Sequence, residues 1–469
     1  MKTVIPCCLL LVAPLLAEDW LQFRGPNGGG VSPEAEVPVD LSVDQNPVWK
    51  TPVPPGHSSP VVAGDRIFLT AVEGESLLVL ALDRATGELL WRRESPRART
   101  GKTHKMNNSA SATPVSDGRN VYAFFGDFGL LAYNAEGDEL WRLPLGPFKT
   151  GMGMSSSPIL ANGKLVLVCD TDNGSYIVAV DPRNGELLWK TDRSEYTRSF
   201  STPALYRPSD GSVEIVVPGA FELAGYSLDE GEKLWWARGL CWQPKTTAAV
   251  SGDSAYVHCW AGGGDSPLAS REQYPDFDEV LASHDANKDG KITQDEAFLE
   301  KMAKNIKPFD VDKTGALERR DWEYFLSKNQ STNALMAVKL GGRGDVTESH
   351  VRWIDRKSLP NVASPLVYDG IVYTAKNGGI VSAIDAETGE PLKRGRLSGA
   401  MGQYMSSPVA ADGRVYFLDL DGILTVVRAG SDWEVLSTVP LEGGGNATPA
   451  IADGRLYVRT HENLYCFGR

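Results

Sequence analysis

Between Asp285 and Glu296 the chain reads Asp-Ala-Asn-Lys-Asp-Gly-Lys-Ile-Thr-Gln-Asp-Glu, with oxygen donors at the first, third, fifth, ninth and twelfth positions and glycine at the sixth. Asp285, Asn287 and Asp289 offer side-chain oxygens and Lys291 its backbone carbonyl. Thr293 can ligate directly or through water, and Glu296 brings both carboxylate oxygens. Hard oxygen ligands in this order suit calcium, and Gly290 allows the sharp turn such a loop needs. A second stretch, Asp310 to Asp321, repeats the spacing with Asp310, Asp312, Thr314, the carbonyl of Ala316, Glu318 and Asp321. Thr314 stands where a carboxylate or amide is usual, and Asp321 is shorter than the bidentate glutamate of the first loop. Weaker binding is expected there.

Such loops need helices on either side. Only 13 residues separate the two, so the pattern reads as a compact EF-hand pair with Phe298, Phe309, Trp322 and Phe325 available as its core. From Asp265 to Gln330 there are 15 acidic and 10 basic residues, a net charge of -5 that bound calcium would offset.

The rest of the chain repeats a different unit. A small residue, a Ser or Thr and usually Pro precede an apolar strand, a tight turn and a second strand. Copies begin at Ser59, Thr113, Ser157, Thr202, Thr247, Ser364, Ser407 and Thr448. Proline is tolerated at the first residue of a strand, so each marker starts one. Asp117-Gly118, Asn162-Gly163, Asp369-Gly370, Asp412-Gly413 and Asp453-Gly454 then offer the positive φ of a tight hairpin. A third strand, a second turn such as Thr86-Gly87, and a fourth strand carrying Trp91, Trp141, Trp189 or Trp235 complete the unit. Four antiparallel strands in about 45 residues make one propeller blade.

Markers lie 41 to 54 residues apart, except that Thr247 and Ser364 are separated by 117. The helical pair is thus inserted into blade five. Only 22 residues follow from Thr448 onward, enough for three strands, and Pro47-Val48-Trp49-Lys50 is available to supply the fourth. The expected fold class is all-β: an eight-bladed propeller of four-stranded antiparallel blades with a small helical insertion. The expected organisation is a leader over 1–17, blades one to five with the closing strand over 18–264, the insert over 265–332, and blades five to eight over 333–469.

The Ala-x-Asp-x-x-Thr-Gly-Glu-x-x-Trp pattern, seen from Ala81 to Trp91 and again from Ala179 to Trp189 with Asn184 in place of Thr, resembles the tryptophan-docking repeat of pyrroloquinoline quinone (PQQ)-like propellers. That superfamily includes quinoprotein alcohol dehydrogenases and the propeller of the bacterial outer-membrane assembly machine. The resemblance implies that the tryptophans dock neighbouring blades. For a dehydrogenase it would imply PQQ on the axis beneath adjacent cysteines, calcium held by a carboxylate and an amide, and an aspartate base. The one adjacent pair here, Cys7-Cys8, lies in the leader, so no catalytic residues carry over and PQQ is not an expected cofactor.

The axis still offers polar groups. Residues before the markers, such as Ser58, Ala112 and Ser156, are small, as packed inner strands require. Near them His57, Arg198, Lys245, Asn361, Gln403 and Asn446 could line a funnel on the face where the chain enters each blade, termed here the mouth face. The insert and a basic stretch from Arg92 to Lys105 should rise from that same face, where an anionic ligand or a protein partner would be met.

Lys2, the apolar run Val4 to Leu16 and Ala17 read as a secretory leader, placing the protein in the periplasm or outside the cell. No later stretch approaches the ~20 apolar residues of a membrane span. A net charge of -13 disfavours nonspecific nucleic-acid binding. Export permits disulfides. A hairpin turning at Gly252 would set Lys245 opposite Cys259, so joining Cys241 to Cys259 requires the chain to fold back. The favoured reading is a noncatalytic binding or scaffolding protein with calcium in its insert; the alternatives are a PQQ-dependent or other enzyme using the funnel, and a calcium-sensing interaction module.

Overall fold

Hairpin turns and alternating apolar strands organise the computed structural model, which describes residues 19–33, 36–38, 41, 47–172 and 174–468. The leader, residues 1–17, lies outside the described residues. The strands form eight antiparallel blades, seven of four strands and one extended to five. Blade one is typical: Val61–Ala63, Arg66–Glu73, Ser76–Asp83 and Leu89–Ser95 run from the axis outward. Its middle strands are buried almost throughout, because other blades cover both faces. Only the outer strand alternates between buried and exposed residues. At the first turn of blades three, six, seven and eight, Asn162, Asp369, Asp412 and Asp453 and the glycines after them all have positive φ, which matches the twist of the strands they join.

The ring closes with both chain ends in one blade. Pro47–Pro52 pairs antiparallel with Asn463–Phe467, completing blade eight and removing an open sheet edge.

Two devices fasten most blades to the next. The outer-strand tryptophan donates its indole N–H to a carbonyl in the neighbouring blade's second turn: Trp49 to Arg84, Trp91 to Ala135, Trp141 to Pro182, Trp189 to Leu228 and Trp353 to Ala386, at 2.8 to 3.1 Å. The indole also lies against the glycine of that turn. A Cβ on Gly137 would come within 2.8 Å of Trp91, and the residue's φ of 83° is itself unfavourable for any other side chain.

The second device explains why seven of the eight markers are Ser or Thr. The backbone N–H of one marker donates to the hydroxyl of the next around the axis: Ser59 to Thr113, Thr113 to Ser157, Ser157 to Thr202, Thr247 to Ser364, Ser364 to Ser407, Ser407 to Thr448, and Thr448 back to Ser59. Every such bond is 2.9 or 3.0 Å long and buried. These N–H groups sit where inner strands have no further strand to pair with, so the hydroxyls satisfy donors that would otherwise be buried and unpaired.

The junction of blades four and five departs from both patterns. Thr247 Oγ1 accepts no such bond from Thr202 and has no partner. Trp235, fully buried, donates instead to Glu214 in its own blade at 2.7 Å. Here Gly344–Asp345 adds a parallel fifth strand to blade four, and Cys241 and Cys259 are joined with their Cα atoms 5.5 Å apart. The chain does fold back. Gly239 and Leu240 N–H both donate to Phe221 O, and Phe221 N–H returns a bond to Cys241 O. This loop carries Cys241 past blade four to the end of strand Ser254–Cys259, outside the hairpin register that puts another residue opposite Cys259.

An N-terminal segment, unforeseen from the repeats, crosses the face opposite the mouth. Trp20 bridges Val62, Leu21 O accepts from Ser116 N–H, and Gly30 O accepts from Ala410 N–H. Asn27 grips the Leu205 backbone through both amide atoms, and the fully buried Arg24 donates to Pro365 O at 2.7 Å.

Candidate functional site: an axial funnel and a paired-loop insert

Eight inner strands and the N-terminal segment together leave a cavity of about 370 Å³ on the axis. His57, Lys245, Asn361 and Asn446 line it with the hydroxyls of several markers, and Phe23 forms part of its floor. The residues preceding the markers, from Ser58 to Ala447, are buried behind this lining, as packing positions should be. Arg198 lines a separate cavity beside the funnel. Gln403 lines neither; its side chain is exposed, and its backbone carbonyl accepts from Leu420 N–H.

The funnel mixes polar groups with apolar side chains such as Phe200, Met152 and Met405, and carries little charge. Lys245 Nζ donates to Trp260 O and to Asn361 Oδ1, both at 2.9 Å, and burial pushes its ammonium down to about 8. His57 has Ser111 Oγ at 3.4 Å from Nδ1 and the His461 ring at 5.7 Å. Burial first, then the charges of His461 and Arg459, pull its pKa down to about 4, so the imidazole is neutral at physiological pH. His461 in turn meets Asn446 Oδ1 at 2.5 Å. No aspartate, glutamate or cysteine is among the residues lining the funnel.

The basic stretch reaches the same mouth through His104 and Met106. All four of its arginines are already engaged. Arg97 pairs with Asp127 at 2.8 Å, Arg99 donates to Gly126 O, Arg93 to Gly137 O, and Arg92 pairs with Glu73. Lys102 and Lys105 remain exposed.

The insert leaves blade five between Ser254–Cys259 and Ala334–Lys339 and returns to it. Its longer helices are Phe277–His284 and Arg319–Gln330, with Glu300–Lys304 between them. Trp322, 1% exposed, is central to a core that includes Phe277, Val280, Ile292, Met302, Ile306 and Leu317; Phe298, Phe309 and Phe325 pack against it. The two loops adopt the same backbone course. Lys288 and Lys313, each fourth in its loop, have φ of 60° and 64°, and the sixth residues, Gly290 and Gly315, donate to Asp285 Oδ2 and Asp310 Oδ2, both at 2.9 Å. The loops brace each other through paired Ile292 and Leu317 backbone bonds of 2.9 and 2.8 Å.

Their acids are arranged differently. In the second loop, carboxylate oxygens of Asp310, Asp312 and Asp321 all lie within 4.8 Å of one another. Burial, with Asp312 and Asp310 adding to it, pushes the Asp321 carboxyl upward. In the first loop Glu296 accepts from Ala286, Asn287 and Thr293 N–H groups, while Asn287 Nδ2 donates to Asp289.

The insert stands on the mouth face beside the funnel. Arg320 donates to Ser194 O, Lys313 lies 3.8 Å from Asp172, and Tyr324 packs edge-on against Phe221 with ring centres 5.6 Å apart. It therefore leans on blades three and four. None of its residues lines the funnel itself.

An eight-bladed antiparallel propeller with a tryptophan-docked ring and an axial funnel defines the class. Within it, a family model described as outer membrane protein assembly factor BamB matches residues 41–156, 147–258 and 346–466, and the chain belongs to this family of PQQ-like propellers. The match breaks off where the insert stands. Two curated relatives share parts of the chain. Quinoprotein alcohol dehydrogenase PedH of Pseudomonas putida is 30% identical over 182 residues, covering 35% of this chain and 29% of the relative. Outer membrane protein assembly factor BamB of Burkholderia pseudomallei is 26% identical over 208 residues, covering 44% and 48%. The chain thus spans less than half the length of either. The solved structure of a europium-containing methanol dehydrogenase superposes with a TM-score of 0.62 at 11% identity, over 96% of this chain and 98% of that one, a similarity of fold alone. No described helix is long and apolar enough to cross a membrane.

Proposed function

We propose that this chain is a noncatalytic binding or scaffolding propeller, working outside the cytoplasm, whose funnel receives part of a partner and whose insert binds calcium. The observation that carries this reading is the funnel lining, which holds hydroxyls, amides, two histidines, one lysine and apolar side chains such as Phe200 and Met405, but no carboxylate and no cysteine. A metal-bound quinone needs a carboxylate to hold the metal, and an alcohol dehydrogenase needs a base. The funnel residues do not fit that cofactor. The disulfide between Cys241 and Cys259 supports an oxidising compartment, in agreement with the leader.

The insert supports calcium through two loops of matching backbone and through the carboxylate trio in the second. Lys313, inside that loop, reaches Asp172 of the propeller, and this contact favours a second role in which calcium sets how the insert leans on the mouth face.

One experiment addresses the funnel: incubation with PQQ and calcium or europium, followed by alcohol and a redox dye. No dye reduction is expected, and quinone-dependent reduction would overturn the proposal. For the insert, calorimetry on the full chain should show calcium binding that Glu296→Gln weakens far more than Asp321→Asn. Absence of calcium heat, or equal losses, would refute it.

A further inference from the structure

Lys328, in the last turn of helix Arg319–Gln330, holds its ammonium 4.1 Å from the centre of the Trp242 ring. Among the described residues it has no carboxylate partner and makes no side-chain hydrogen bond. It lines a cavity of about 420 Å³ between the insert and the mouth face, together with Arg198 and Arg271. No aspartate or glutamate lines this cavity, in a chain whose net charge is -13.

The three cations are not equivalent. Arg271 is spent on backbone carbonyls, among them Asn329, Ser331 and Ser266, and so fastens the two stems of the insert. Arg198 gives its Nε to Asp172 at 2.8 Å, which leaves its terminal nitrogens for another acceptor. Its backbone is held at a φ of 52°, in a region that non-glycine residues seldom occupy and that tends to mark functional positions. Burial, with Arg198 adding to it, pushes the Lys328 ammonium below the usual lysine range. Asp172 offsets part of the Arg198 charge from behind, while Lys328 faces the cavity with no acid of its own. Phe309, Val311 and Phe325, with Tyr324 beside them, form an apolar part of the remaining wall, and Ser266 and Asn329 add polar groups to it.

We propose that this cleft binds a small organic anion, a carboxylate or a phosphate or sulfate monoester, that carries an aromatic or other apolar group. The anionic head sits on Lys328 and Arg198, and the body lies against Phe309 and Phe325. The volume suits a ligand of that size. The site is separate from the axial funnel and does not depend on the reading given to it.

Calorimetry on the full chain with phenyl phosphate tests the proposal. Saturable binding is expected, weakened about tenfold or more by Lys328→Met and largely retained by Lys328→Arg, since one charge-assisted bond is removed and then restored. Benzyl alcohol and inorganic phosphate should each bind far more weakly than phenyl phosphate, because each lacks one half of the ligand. Lys245→Met, in the funnel, should leave the affinity unchanged. The proposal fails if phenyl phosphate does not bind, if Lys328→Met binds as the parent does while folding normally, or if Lys245→Met abolishes binding. Inorganic phosphate binding as tightly as phenyl phosphate would overturn the apolar half.

Discussion

At the junction of blades one and two, Trp91 donates to Ala135 and packs on Gly137, while the Ser59 N–H reaches the Thr113 hydroxyl. At the junction of blades four and five, Trp235 turns back to Glu214 and the bond from Thr202 to Thr247 is missing. The first junction is built from the repeat. The second is held by features that occur once: the Cys241–Cys259 bridge and the parallel strand Gly344–Asp345. In a repeat protein each interface contributes to stability through its nearest neighbours. A junction that has lost the shared fastenings must therefore be secured locally, and the insert, which rises from blade five, leans back across it onto blades three and four.

The largest effect expected from breaking this contrast is at the regular junction. Trp91→Ala removes a buried indole, its hydrogen bond and its packing on Gly137, and should cost about 3–5 kcal/mol in chemical denaturation. Next comes the irregular junction. Cys241→Ser with Cys259→Ser should cost about 3 kcal/mol for a loop of this length, and reducing agent should lower the melting temperature of the parent but not of the double variant. An unchanged parent under reduction would show that the bridge does not hold this junction.

The hydroxyl ring gives a finer test. Thr113→Val leaves the Ser59 N–H buried without an acceptor and should cost about 1–3 kcal/mol. Thr247→Val removes a hydroxyl that accepts nothing and should be nearly neutral. Equal losses at the two positions would mean that the ring is incidental.

The smallest effect is on pH dependence. Lys245 belongs to the loop joining blades four and five, and its folded pKa, about 8, is below the 10.5 of a free lysine. Between those values the unfolded chain binds the extra proton, so stability should rise as pH increases from 8 to 10.5. His57 stands where blade eight meets blade one, and its pKa falls from 6.5 to about 4. There too the unfolded chain binds more protons, so stability should fall as pH drops from 6.5 to 4. Each contribution should be about 1 kcal/mol after screening by water at the mouth. Lys245→Met should remove the alkaline rise alone, and His57→Gln should reduce the acidic fall, which buried His258 shares.

What could be read from sequence was whatever repeats. Marker spacing gave the blade count, the Trp49 segment gave the closing strand, and oxygen spacing located the two loops. The hidden parts depend on contacts between residues distant in the chain. Nothing local marks Phe23 as a residue of the axial cavity or Arg24 as a buried anchor beside it, because both act across distant parts of the chain. The Cys241–Cys259 bridge was hidden because hairpin register governs only paired residues, and Cys241 lies in a loop outside the pairing. The marker hydroxyls were visible as a pattern, yet their purpose appears only when the ring brings successive markers together. His57, Lys245, Asn361 and Asn446 share their place at the inner end of a blade and meet on the axis. Arg198 occupies the same kind of position but is drawn aside by Asp172.

The N-terminal segment makes the axial space a cup rather than a tube. With Phe23 at its base and Trp20 and Arg24 buried, the described part of this segment covers the axial space on the side away from the mouth. Whatever occupies the cup arrives and departs by a single doorway. Successive occupants must take turns, and none can be displaced from behind.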